Sequence, residues 1–192
     1  MTSAERGQSA RAKLLRAASE LIGEVGWNAV STRLLAQRAG VRSGLVHYHF
    51  DSLHDVLRRA AIREMELARD HATAEFSEHP ENASPVGAML AELAEYDGTD
   101  PSSRVVIEAY LASTRDAVLR QQMQQLMTGF RSAVSASFAR SGHRDPDAAA
   151  VVVLAVLDGL ILHKGLDPEI PIDDAVALVE AAVMTAEKGR EE

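Results

Sequence analysis

"STRLLAQRAGVRSGLVHYHF", residues 31–50, holds three arginines, two histidines and a tyrosine, and no acidic residue. The chain around it has 192 residues and a formal charge of −8. The imbalance is local. Residues 1–50 carry seven Arg/Lys against three Asp/Glu, a balance of +4, and residues 51–192 carry thirteen against twenty-five, a balance of −12. A basic quarter on an acidic body points to an anionic partner for that quarter alone. Nucleic acid fits better than a membrane surface, because no basic helix there offers an aromatic or Leu-rich face for insertion.

The segment reads as two short helices joined by a tight turn. Ser31 caps a helix over Thr32 to Ala39, whose apolar face is Leu35, Ala36 and Ala39. Gly40 supplies the left-handed backbone of the turn, and Val41 tucks inward. A further helix runs from about Ser43 to His49, with Val46 and Phe50 facing a core. Ser43, Gly44, His47 and Tyr48 then share the opposite face, with Arg33 and Arg42 on either side. A helix entering a groove lined by phosphates needs such a face: carboxylates are repelled there, and glycine lets the backbone approach. The pattern is that of a helix-turn-helix; the alternative is a solvated basic face on a generic bundle.

Outward from this segment nearly everything reads as helix, and the fold class is all-α with about nine helices. The first helix carries Leu14, Leu15, Ala18, Leu21, Ile22 and Val25, with Ser9 as its cap and Gly26 as its stop. Residues 1–9 are then a flexible arm, 10–51 a three-helix domain carrying the helix-turn-helix, and 52–192 a helical body. A long fourth helix capped by Asp51 or Ser52 stops before Pro80. Further helices are expected near 85–96, 101–115, 117–140, 146–164 and 172–188.

Composition excludes several classes. Without cysteine there is no disulfide scaffold, thiolate nucleophile or Cys-based zinc site, which fits a reducing cytoplasm. The N-terminus lacks an apolar signal-peptide core. Asp158 and Gly159 interrupt the longest apolar run, Ala148 to Leu157, before the ~20 residues of a membrane span. No HExxH, GxSxG or GxxxxGK[ST] motif is present, and His47 and His49 face different ways on one helix. No catalytic residue, metal or cofactor is expected; His71, His79, His143 and His163 fall near helix ends, where solvated or capping roles are usual.

The stretch from Ala10 to about Leu57 resembles the DNA-binding domain of the tetracycline-repressor (TetR) family of bacterial transcription regulators. The residues that carry the resemblance are Gly26-Trp27, Ser31-Thr32-Arg33, Ala36, Arg38-Ala39-Gly40-Val41, Gly44 and Tyr48-His49-Phe50. It implies a homodimer on a near-palindromic double-stranded DNA operator, usually a repressor, released by a small-molecule effector bound in the C-terminal body. By the same resemblance Thr32 and Arg33 contact phosphate and base edges, Ser43, Gly44 and Leu45 form the tip of the recognition helix, and Tyr48 and His49 lie near the DNA backbone. Three positions depart from the family pattern. Arg42 stands where a capping serine is common, His47 replaces a frequent tyrosine and gives binding a pH dependence, and Leu53 replaces a frequent lysine. The phosphate that a lysine would hold at position 53 is left to the N-terminal amides of the fourth helix.

In the body, Met123, Met127, Phe130, Val134 and Phe138 form a helical stripe that is plain core or one wall of an apolar pocket. Met65 on the fourth helix, with Tyr110 or Glu108 fixing ligand orientation, would complete such a pocket. Asp158 is either a satisfied structural carboxylate or a polar pocket group. The all-round apolar run 148–157 and the Ala-rich set Ala175, Leu178, Val179, Ala182 and Val183 suit a dimer formed by the last two long helices. The competing function is an all-α interaction or DNA-compacting protein with no specific operator or effector.

Overall fold

The computed structural model describes residues 2–78 and 100–185, and among them every regular element is helical. Eight α-helices follow in order: α1 (Ser3–Val25), α2 (Thr32–Ala39), α3 (Gly44–His49), α4 (Leu53–Glu78), α5 (Pro101–Ser113), α6 (Ala117–Arg140), α7 (Pro146–Leu166) and α8 (Ile172–Thr185). A 3₁₀ turn, Trp27–Ala29, joins α1 to α2. The expected helix near 85–96 lies outside the described residues.

Most boundaries follow the sequence signals, and the first does not. Helix α1 begins at Ser3 rather than after Ser9, so the expected arm over 1–9 is largely helix. The reason is a capping box: Thr2 Oγ1 accepts the Glu5 N–H at 3.2 Å, and Glu5 Oε2 accepts the Thr2 N–H at 2.7 Å. Helix α4 starts where expected, with Ser52 Oγ accepting the Asp55 N–H at 3.1 Å.

The chain forms two compact units that do not coincide with a split at residue 51. The first comprises residues up to 67 together with 101–124; the second comprises 68–100 and 125 onward. In the first, α1 packs on α2, α3 and α5, with Leu14, Ile22, Leu35, Val46, Val56, Leu57, Val105 and Leu119 almost wholly buried. Helices α1 to α3 are therefore of one body with α5 and the start of α6. The Arg58–Asp116 ion pair at 2.9 Å, largely sheltered from solvent, ties α4 to the beginning of α6 in the same unit.

The second unit has a core of Val134, Phe138, Ala149, Ala150, Val153, Leu154, Ile172 and Val183. Val176 and Val179 pack against it, so Val179 and Val183 of the expected dimer set serve the subunit's own core. His143, expected to be solvated or capping, is buried. Its Nε2 lies 2.9 Å from the Val183 carbonyl oxygen and its Nδ1 accepts the Asp145 N–H at 3.2 Å, which joins the α6–α7 turn to α8.

Helix α7 is apolar beyond what that core uses. Its 18-residue window has a mean hydropathy of 1.9, with 28% buried. By length and composition alone it is long and apolar enough to cross a membrane, a test that the core helix of a folded domain also passes. Val151, Val152, Leu162 and Leu166 are exposed on it, and Leu178 is exposed on α8.

Candidate nucleic-acid interface

The α2–α3 pair buries one side and leaves the other open. Ser31 Oγ accepts the Leu34 N–H at 3.2 Å and opens α2. Gly40, at φ 64° and ψ 35°, closes it in the left-handed region, and the Val41 N–H returns to the Ala36 carbonyl at 3.0 Å. Ser43 occupies the cap position of α3 but its side chain makes no capping hydrogen bond. Val46 and Phe50 are 0% and 4% exposed and hold α3 to the core.

Each residue expected to touch DNA retains accessible surface. Arg33, Arg42, Ser43, Gly44, His47 and Tyr48 are exposed, and Thr32, Leu45 and His49 are half-buried. Tyr48 is 78% exposed, the most open large aromatic of the segment, with its ring edge-on to His49 at 4.9 Å. His49 is hemmed in from α1 as well: a Cβ on Gly7 would stand 3.6 Å from its Cε1. Arg11 of α1 joins this corner, its guanidinium carbon 5.3 Å from the Phe50 ring centroid. In the sequence Arg11 contributed only to the charge balance, since nothing local to it signals the neighbouring helix.

The three arginines of the segment are not equivalent. Arg38 forks onto Glu24 at 2.6 and 2.8 Å and reaches Glu20 at 3.4 Å. That pairing raises the Arg38 pKa and holds the Glu24 carboxyl below its ordinary range. Arg38 is thus engaged within the subunit, whereas Arg33 and Arg42 enter no ion pair among the described residues. Two guanidinium groups flank an acid-free face and are available to phosphate or a guanine edge.

Gly44 is informative by what does not surround it. A Cβ added there would meet nothing within 4 Å, and its backbone is not left-handed. Neither internal packing nor conformation calls for glycine, although glycine weakens a helix by up to ~1 kcal/mol relative to alanine.

The residues expected to hold an effector divide between the units. Met65, Glu108, Tyr110 and Met123 belong to the first, Met127 and Phe130 to the second. Met65 and Met123 are buried, and Tyr110 is 68% exposed. Glu108 is committed elsewhere: its Oε2 accepts the Trp27 N–H at 2.7 Å. Phe130 packs against the second unit's core. Met127 borders a groove of about 200 Å³ with Arg131, Val151, Leu154, Ala155 and Asp158. Asp158 makes no hydrogen bond among the described residues; it is exposed at the rim of this groove, and desolvation raises the pKa of its carboxyl. It is a groove residue rather than a satisfied structural carboxylate.

Known proteins bear on this geometry. The family model for "Tetracyclin repressor-like, C-terminal domain" matches residues 83–186, and that for "Bacterial regulatory proteins, tetR family" matches 14–60. The HTH-type transcriptional regulator BetI of Burkholderia lata is 30% identical over 176 residues, covering 88% of each chain. Among solved structures, the multidrug binding protein EbrR complexed with imidazole is 27% identical with a TM-score of 0.68, covering 93% of this chain and 95% of its own. A transcriptional regulator from Rhodococcus sp. Rha1 shares the fold, with a TM-score of 0.75 at 21% identity over 91% of this chain and 96% of its own.

Proposed function

Because the chain belongs to the TetR family of bacterial transcriptional regulators, we propose that it represses transcription in the cytoplasm as a homodimer on a near-palindromic DNA operator. A small, largely hydrophobic effector bound in the C-terminal body releases it. One observation carries the DNA half of this reading: the exposed α3 face has no carboxylate and includes a glycine that the subunit itself does not use. Arg33, Arg42, Ser43, Gly44 and Tyr48 are the groups we assign to DNA, with Thr32, Leu45, His47 and His49 beside them. Phosphate contacts supply affinity, and Arg33 at a guanine edge supplies part of the sequence preference.

The dimer reading is supported by the open apolar face of α7, with Val151, Val152, Leu162 and Leu166, and by Leu178 of α8. A surface of this kind is stable in water when a second copy covers it, and two helices from each subunit meet as a four-helix bundle about a twofold axis. That symmetry sets the two recognition helices ~34–36 Å apart, one turn of DNA, or a modest multiple of it.

For the effector, Met127 and Phe130 on α6 are the proposed contacts, with the neighbouring groove supplying a polar group in Asp158. EbrR, holding imidazole, supports a small ligand for such a body. Selection from a randomised duplex library tests the function as a whole. Recovery of one palindromic consensus is expected, and recovery of duplexes without a consensus would replace this reading with the DNA-compacting one.

A further inference from the structure

The α1–α2 turn is held by its backbone from a helix 81 residues away in sequence. Helix α1 stops where the Gly26 N–H meets the Ile22 carbonyl at 3.1 Å. The next amide, Trp27 N–H, opens the 3₁₀ turn, which has no capping side chain of its own. Glu108 of α5 supplies the acceptor, 2.7 Å away, in a setting where Trp27 is only 6% exposed. The approach is close on both sides of the turn. A Cβ on Gly26 would stand 3.5 Å from the Glu108 carboxylate, and a Cβ on Gly23 would stand 3.2 Å from the Pro101 carbonyl oxygen. Four residues after Trp27, Ser31 caps α2. The carboxylate therefore fixes the turn from which the DNA-reading helices are aimed.

A cation lines the same cleft as the carboxylate. Arg104 stands one helical turn before Glu108 on α5, the spacing at which oppositely charged side chains meet. Both line a cleft of about 340 Å³ beside the end of α1, together with Gly23, Glu24, Val25 and Ile107. Arg104 enters no ion pair among the described residues. The cleft gives Glu108 room to turn from the Trp27 amide toward Arg104.

We propose that Glu108 is a positioning residue of the regulator: on the Trp27 N–H it holds the head in its DNA-binding orientation, and on Arg104 it lets the head go. Because the acceptor acts on a backbone amide, the arrangement is a clasp on the turn's geometry and not a contact with DNA. An effector that shifts α5 then has a route to the head through one side chain. The proposal rests on the DNA-binding reading above, and the experiment separates the two.

Full-length Glu108→Ala, Glu108→Gln and Arg104→Ala are compared with the wild type by fluorescence anisotropy on a duplex selected with the wild-type chain. Glu108→Ala is expected to bind roughly tenfold more weakly, the scale of one hydrogen bond to a charged group. Glu108→Gln keeps an amide oxygen for the Trp27 N–H and binds within about twofold of wild type. Arg104→Ala, which removes the competing partner, binds as tightly as wild type or a few-fold tighter. Equal binding by Glu108→Ala, or a Gln variant as weak as Ala, would overturn the clasp; weaker binding by Arg104→Ala would overturn its releasing half. Hydrogen exchange at the Trp27 amide reads the clasp without DNA: protection retained in Gln and lost in Ala supports it, and no difference between them refutes it. A wild-type chain that selects no duplex defeats the DNA reading instead, and leaves the exchange result to judge Glu108.

Discussion

Gly44→Ala moves two observables in opposite directions. Within the subunit the added methyl meets nothing within 4 Å and the helical backbone accepts it, so no packing is disturbed. Alanine is the better helix former by up to ~1 kcal/mol in a helix interior, and at the first position of α3 about half of that is a fair expectation. For a chain of this length, ~0.5 kcal/mol raises Tm by about 1–2 °C. On DNA the sign reverses. If the α3 backbone approaches a phosphate or a base edge at glycine distance, a methyl forces the helix outward and lengthens every contact near its tip. A loss of ~1.4–2.7 kcal/mol, or ten- to a hundredfold in affinity, is the expected scale. Differential scanning calorimetry and anisotropy titration on a selected duplex give the two numbers. Unchanged affinity would mean that the α3 backbone does not approach DNA at Gly44, and a lowered Tm would mean that the glycine serves the fold after all.

Arg33→Ala should cost ~1–3 kcal/mol of operator binding per contact with the circular dichroism spectrum unchanged, while Arg38→Ala, whose guanidinium is already engaged by Glu24, should leave affinity within twofold in the same gel-shift series. Leu162→Glu places a charge on the open face of α7 and should convert a dimer to a monomer in light scattering; a wild-type chain that is monomeric at micromolar concentration would remove the twofold geometry. Asp158 is a carboxyl whose folded pKa is raised by desolvation, so the folded state binds the proton more tightly than the unfolded state. Stability should therefore fall as pH rises from the ordinary carboxyl value of 3.8 through the folded pKa, with the penalty constant above it. Asp158→Asn should flatten that part of the Tm–pH curve and raise Tm at neutral pH, whereas parallel curves for the two proteins would place Asp158 in full contact with water.

The head was the most legible part of the sequence, because each of its devices is local. Ser31 before an apolar periodic run, Gly40 after it, and Val46 and Phe50 four apart all act over distances of a few residues, and all took the expected roles. The start of α1 was misread: Thr2 and Glu5 have capping-box spacing, but Ser9 offered a rival cap nearer the apolar run. What could not be read were pairings across the chain. Arg38 with Glu24, Glu108 with Trp27, and His143 with Val183 join residues whose types each admit many partners, and no spacing rule selects among them. Glu108 is the clearest case: a lone acid beside an aromatic suggests a ligand anchor, and only the fold brings a backbone amide to it. The stripe on α6 was ambiguous for another reason. Met123 and Phe138 are buried while Met127 borders a groove, and a single hydrophobic pattern cannot tell a wall facing the core from one facing a cavity.

Hydroxyl-radical footprinting of the wild-type chain on a duplex it has itself selected bears most directly on the DNA-binding reading. Two protected half-sites related by a dyad are expected, with centres about 10–10.5 base pairs apart or a modest multiple, and Arg33→Ala should fade both together. Uniform protection along the duplex, or a single unpaired site, would contradict a dimer reading DNA through the α2–α3 face.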